Sequence, residues 1–279
     1  MLILFFAIVY FVGVKAWFFT SLVVLSLALR EFIKFTKQKS KLNYTILQLI
    51  LTLLIIFPYI LANHIDGSYY LNSSFASFSV FALMIFIFFY GSVLKRCKRK
   101  FKKRRKLSSK NLLKLNAMFM LYLAFLPAHL FYLEALGKKF LLLALLTAVS
   151  CDIFAYLIGK NFGKHQVLPK TSPKKTIEGS LSALIITTFV FTALYIWITG
   201  KFYLLNSLKI VLPMLAGLFL AFIAQLGDYY ESLLKRCFRV KNSGDILASH
   251  GGVLDRIDSH CLTIPLTYIV LVVFHHLNL

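Results

Sequence analysis

The chain has 279 residues, of which 59% are hydrophobic and only 15% charged, with a mean hydropathy of +0.78. Twenty-eight phenylalanines are more than the core of one globule of this size can hide, and the same composition excludes disorder, a disulfide scaffold and a collagen-like fibre. The net charge of +22, from 32 Lys and Arg against 10 Asp and Glu, lies mostly between apolar runs, where it orients membrane helices instead of coating a nucleic-acid-binding face.

An all-α polytopic membrane protein is therefore predicted, a single integral domain over 1–279. Apolar runs close to the ~20 residues that a bilayer crossing needs fall at about 2–30, 44–63, 75–94, 115–136, 139–159, 180–200, 208–227 and 261–277. The first holds Lys15 and can form one helix or two, so eight or nine transmembrane helices are expected. It is too long for the core of a signal peptide and lacks the basic leader of one.

The loops between these runs alternate in charge. Residues 30–41 carry Lys34, Lys37, Lys39 and Lys41, whereas 63–74 have neither Lys nor Arg. The run KRCKRKFKKRR then starts at Lys95, followed by a sparse loop with Lys138 and Lys139 near Glu134. The stretch 160–175 is basic, 201–209 sparse and 235–256 basic. Positive-inside logic puts every second loop in the cytoplasm without a clash of parity. The run from Lys95 reads as a topology anchor that also attracts anionic lipid. Cys97, Cys151, Cys237 and Cys261 show no CxxC spacing, so free thiols are expected, with neither a disulfide frame nor a zinc ribbon.

Glu31, Asp66 and Glu134 lie singly near span ends, where a solvated or structural role is the default. The other acids, Asp152, Glu178, Asp228, Glu231, Asp245, Asp255 and Asp258, fall in or beside the loops assigned to the cytoplasm. Asp152 comes late in one apolar run and Asp228 ends another. A carboxylate at membrane depth costs at least ~2.5 kcal/mol, which makes it a functional candidate. Its hard oxygens suit Mg²⁺, which takes one or two carboxylates and completes its octahedron with water and phosphate oxygens.

Two segments concentrate the chemistry. In CDIFAYLIGKNFGKHQVLPKTSPKKTIEGS, from Cys151 to Ser180, Gly159 and Gly163 are expected to loosen the chain as it leaves the membrane. Lys160, Lys164, Lys174 and Lys175 offer ammonium groups to phosphates, and Ser172 or Thr176 can cap a following helix whose open amides face an anion. In GDYYESLLKRCFRVKNSGDILASHGGVLDRIDSH, from Gly227 to His260, Asp228, Glu231 and Lys235 share a helix face by their spacing. Lys235 and Arg236 continue that helix into the cytoplasm. His250, Gly251 and Gly252 make a turn that lets backbone amides approach a phosphate. Asp255 and Asp258 then put two carboxylates on one face of the next helix, with Arg256 between them. Acids, bases and a glycine turn so close together suit metal-assisted phosphoryl transfer.

These residues resemble the signature of the phosphatidate cytidylyltransferases, or CDP-diacylglycerol synthases. Ser232, Lys235, Arg236, Lys241, Gly244, His250, Gly251, Gly252, Asp255, Arg256 and Asp258 fall on that pattern without a gap, and Gly227, Asp228 and Glu231 precede it correctly. Asp152, Ala155, Tyr156, Gly159, Lys160, Gly163, Ser172, Pro173, Lys174, Thr176, Glu178 and Gly179 resemble a second block of the family. The likeness is specific over roughly 150–260; before 140 only the hydropathy is compatible. Asn242 departs from the pattern, which has Asp there, and Ala248 stands where Pro or Gly is usual.

The resemblance implies transfer of CMP from CTP to phosphatidate, giving CDP-diacylglycerol and pyrophosphate, at the cytoplasmic face of a bacterial membrane. It implies Asp228 and Asp255 as ligands of Mg²⁺, a second, monovalent cation with Asp258 as a candidate ligand, and Lys175, Lys235, Arg236 and Arg256 as phosphate partners. His250 would donate to a phosphate, and Asp152, Lys160, Ser172, Lys174, Thr176, Glu178, Glu231, Lys241, Gly251 and Gly252 would line the substrate site. Partners are then CTP, phosphatidate and the bilayer, with a homodimer left open and no nucleic acid. A CTP-dependent lipid kinase of the polyprenol or phytol type, or a non-catalytic membrane relative, is the alternative. Neither the motif of CDP-alcohol phosphatidyltransferases nor the midplane acids of a transporter are found.

Overall fold

The computed structural model describes residues 14–36, 46, 50, 52–53, 109–168, 172–202, 208–244 and 251–278. The expected span at 75–94, nearly all of that at 44–63, the basic run from Lys95 and the predicted phosphate donor His250 lie outside the described residues. The elements follow the apolar runs: α1 (Val14–Phe35), α2 (Ser109–Leu136), α3 (Lys138–Phe162), a hairpin of β1 (Gln166–Leu168) and β2 (Ser172–Thr176), α4 (Ile177–Thr199), a 3-10 turn (Leu208–Ile210) running into α5 (Val211–Cys237), and α6 (Leu254–His276).

The chain punctuates these helices with local devices. Between α2 and α3 stands Gly137 alone, at φ +137°, a value that side chains resist. Its N–H meets the carbonyls of Leu133 and Glu134, so the chain reverses within one residue. Thr176 caps α4 by accepting the Gly179 N–H at 3.2 Å, and Gly200 ends that helix in the left-handed region.

Among the described residues, α3, α4, Leu208–Cys237 and α6 are long and apolar enough to cross a membrane, which fits an integral membrane protein. Successive members of this series pack on one another, while α2 lies against α3 and α6. Of the four, α6 is central: 72% of its apolar window is buried, against 39–44% for the others. The outward faces of α4 and α5 carry Leu181, Ile185, Phe189 and Leu215, Phe219, Phe222. Their spacing of three or four residues makes stripes that suit lipid.

Gly159, expected to loosen the chain, instead lies inside α3, which continues to Phe162. Its purpose is contact. A Cβ on Gly179 of α4 would stand 2.8 Å from the Gly159 Cα and 2.5 Å from the Ala155 carbonyl oxygen. Small residues thus let α3 and α4 cross backbone to backbone, as packing between apolar helices requires. Gly227 does the same for α5, where a Cβ would meet the Asp258 carbonyl oxygen at 2.6 Å.

Because α3, α4, α5 and α6 run back and forth, the hairpin after α3 and the loop between α5 and α6 lie at the same end of the bundle. Helix α5 extends ten residues beyond the apolar run ending at 227, and α6 begins seven residues before the run starting at 261. Asp228, Glu231, Lys235, Asp255 and Asp258 are therefore all held on rigid helix.

Candidate active site

The polar ends of α3, α5 and α6 converge with the hairpin. On α5, Asp228, Glu231 and Lys235 share a face, as their spacing predicts. Lys235 bridges two elements: its Nζ pairs with Glu231 one turn back and with the Asp255 Oδ1 of α6 at 2.6 Å. Glu231 is 2% exposed, and its Oε1 has no hydrogen-bond partner. Lys175, at the end of β2, pairs with Asp228, which also accepts the Ser232 hydroxyl at 3.3 Å. The two segments that the sequence singles out thus meet through Lys175 and Asp228.

Asp255 has a dense shell. Besides Lys235, it accepts the Gly252 N–H at 2.9 Å and the Ser243 N–H at 3.1 Å, so it ties Ser243 to the turn before α6. Gly251, at φ +83°, makes the turn that allows this. The Gly252 amide, expected to face a phosphate, is directed at Asp255. Asp258, one turn further along α6, is buried and accepts the following Ser259 N–H at 2.7 Å. Its like-charged neighbours are Asp228, Glu231 and Asp152. Asp152 of α3 accepts the Ser259 hydroxyl at 2.9 Å, and Lys175 and Arg256 are the cations that act on it.

Other predicted residues stand apart from this core. Glu178 turns to the hairpin, where it accepts the backbone N–H of Lys164 at 3.1 Å and of His165 at 3.2 Å, and pairs with the His165 ring at 2.7 Å. It is a clasp on the chain leaving α3. Thr176 is the helix cap. Lys160 lies over the Tyr156 ring at 5.8 Å, Arg236 donates to the Val240 carbonyl at 3.3 Å, and Ser172 opens β2 opposite Leu168. Lys174, Lys241 and Arg256 are exposed around the cluster.

Three participants escaped the sequence. Ser259 orients Asp152, Ser243 joins the Asp255 clamp, and Glu31 of α1 reaches the loop before α6. Glu31 alone had a usable signal, an acid at the end of an apolar run.

The donor set fits a hard divalent cation. Asp152, Asp228, Glu231, Asp255 and Asp258 gather around the cations Lys175, Lys235 and Arg256, a set of hard oxygens of the kind a divalent cation takes. Among the described residues no three His, Cys, Asp or Glu side chains form a ready cage. Mg²⁺ needs none, because it keeps water and binds through one or two carboxylates and substrate phosphates.

A profile of the cytidylyltransferase family matches residues 1–274. The chain belongs to the cytidylyltransferase family. Its relatives include proteins named phosphatidate cytidylyltransferase from Bacillus subtilis, 38% identical over 144 residues, or 51% of each chain, and from Staphylococcus haemolyticus, 41% identical over 136 residues, or 49% of this chain and 50% of the relative. A third, from Aquifex aeolicus, is 34% identical over 162 residues, 56% of this chain and 58% of the relative. The chain spans about half the length of the curated relatives it matches. The family likeness read from the two motif blocks is thereby borne out.

Proposed function

We propose that this cytidylyltransferase-family chain transfers CMP from CTP to phosphatidate, releasing pyrophosphate and leaving CDP-diacylglycerol in the membrane. The observation that carries this reading is the pair of ionic links Lys175–Asp228 and Lys235–Asp255, which gather two lysines and two carboxylates from three elements at one end of an apolar bundle. The names of the relatives support it, and nothing in the site favours a kinase or an inert scaffold.

In the reaction, a phosphatidate phosphate oxygen attacks the α-phosphorus of CTP. The bond from that phosphorus to the oxygen bridging the β-phosphate breaks, and pyrophosphate departs with the electron pair. The nucleophile is already ionised near neutral pH, so no general base is needed. Lys175, Lys235 and Arg256 would spread the charge that develops, which in such transfers is the largest contribution, with Arg236, held by the Val240 carbonyl, at the rim. Asp228 and Asp255 would hold Mg²⁺, with Asp258 beside them for a second, monovalent cation; bound there, the metal would neutralise phosphate charge. Asp152, fixed by Ser259, Glu231 behind Lys235, and Lys160, Ser172, Lys174 and Lys241 at the rim would orient the nucleotide and the lipid headgroup. His250 would donate to a phosphate.

The same reading gives one domain of eight or nine transmembrane helices with the site at the cytoplasmic face, since both motif loops are basic. Its partners are CTP, phosphatidate and the bilayer, and the outward apolar faces are compatible with a homodimer. Cysteine introduced by Asn242→Cys should resist an impermeant thiol reagent in intact cells and react once the membrane is opened; ready labelling from outside would reverse the orientation. Purified protein given phosphatidate, Mg²⁺ and CTP labelled at the α- or γ-phosphate tests the chemistry. Label from the α-position should enter lipid and label from the γ-position should appear in pyrophosphate. Lipid labelled from the γ-position, with CDP released, would establish a kinase instead.

A further inference from the structure

Glu31 of α1 lies more than two hundred residues from the loop between α5 and α6, yet it is 2% exposed and its carboxylate is engaged by that loop and the start of α6. Oε2 accepts the Ser243 hydroxyl at 2.8 Å and the Leu254 N–H at 3.0 Å, while Oε1 accepts the Val253 N–H at 2.9 Å. The residue at the start of α6, Val253, provides no side-chain cap of its own. The first amides of a helix are otherwise orphaned, and a carboxylate there also meets the positive end of the helix dipole. Glu31 supplies that cap from another helix.

The contact also dictates its surroundings. A Cβ on Gly244 would stand 2.7 Å from the Glu31 Oε1, and one on Gly252 would collide with both the Glu31 carboxylate and the Ser243 hydroxyl. Ser243 is held twice, through its N–H by Asp255 and through its hydroxyl by Glu31. The loop between α5 and α6 is thus gripped between two carboxylates. One belongs to the proposed metal site and the other to α1.

We propose that Glu31 is a positioning residue for the nucleotide site, holding Ser243 and the first amides of α6 so that Asp255 and Lys235 keep their places. It acts through the loop and touches no reacting atom. The inference rests on the nucleotidyl transfer proposed above and deepens it.

Glu31→Gln tests it, because an amide keeps the shape while presenting N–H₂ to at least one backbone N–H. The KM for CTP should rise about tenfold, with the KM for phosphatidate unchanged and the yield of folded protein retained. Glu31→Asp, which keeps the charge on a shorter stem, should recover part of the loss. Ser243→Ala, a milder change that removes only one donor, should move the CTP KM in the same direction and serves if the Glu31 variants do not fold. Limited trypsin digestion supplies a readout independent of turnover: cleavage after Lys241 should quicken in Glu31→Gln. Unchanged CTP KM and unchanged cleavage in both Glu31→Gln and Ser243→Ala would overturn the proposal. So would a loss of folded protein in Glu31→Gln while the CTP KM stays put in Ser243→Ala, since that describes a purely structural group. If the wild-type protein transfers no CMP, the functional reading fails, and faster cleavage would still decide whether Glu31 holds the loop.

Discussion

Lys235→Met should be the most destabilising single change at the site. Lys235 and its partners Glu231 and Asp255 are 12%, 2% and 13% exposed, too buried for solvent to screen the lost pairing. Removing one member of a buried ion pair strands an uncompensated charge and costs about 3–5 kcal/mol. The two carboxylates do not share that penalty equally. Asp255 keeps the amides of Gly252 and Ser243, whereas Glu231 has an oxygen with no hydrogen-bond partner even in the intact site. Most of the penalty should therefore fall on Glu231. Adding Glu231→Gln to Lys235→Met removes the stranded charge and should return about 2 kcal/mol, roughly half the loss. Denaturant unfolding in mixed micelles, followed for the wild type, both single variants and the double, measures this. The reasoning fails if Lys235→Met is as stable as the wild type. It fails also if the double variant is less stable than Lys235→Met, because the two changes would then act as independent losses.

Asp228→Asn should abolish CMP transfer without loss of folded protein, and Asp228→Asn combined with Asp255→Asn should be no worse, since groups that act as a unit are non-additive; appreciable turnover in either single variant would remove both from the metal site. Lys175→Ala should lower kcat in an assay of pyrophosphate release while leaving thermal stability nearly unchanged, because its pair with Asp228 is about 30% exposed on both sides and such pairs contribute little to folding. Gly179→Ala should destabilise the α3–α4 crossing by roughly 1–3 kcal/mol, the usual penalty of overpacking, seen as a lower melting temperature in detergent. Asn242→Asp should reduce the Mg²⁺ concentration needed for half-maximal rate if that position lies near the cation, and an unchanged Mg²⁺ titration would leave Asn242 as a residue of the turn.

What sequence alone determined was whatever depends on spacing along one element. Hydropathy located α3, α4, α5 and α6, because an apolar run long enough to cross a bilayer can satisfy its backbone only as a helix. The spacing of Asp228, Glu231 and Lys235 placed them on one face, because neighbours on a helix surface are three and four residues apart. Chemistry offered Ser172 or Thr176 as the cap of the following helix, and the fold takes Thr176 while Ser172 opens β2. Spacing also carried α5 past its apolar stretch to Lys235 and Arg236 and put Asp255 and Asp258 on the next helix, but it could not show that these two polar turns are tied to each other through Lys235 and Asp255.

Tertiary structure decided the partners. Which lysine faces Asp228, that Ser259 orients Asp152, and that Glu178 clasps the hairpin all depend on how helices distant in sequence are seated. Gly159 changed meaning for the same reason: flexibility is the property visible in the sequence, but the close approach of Gly179 is what the fold uses. Glu31 is the extreme case. Its lone carboxylate looks like an ordinary span-end acid in sequence, and only the seating of α1 against α6 turns it into the cap on Val253 and Leu254. A hydrogen bond is set by distance in space, and neither composition nor periodicity carries that distance across two hundred residues.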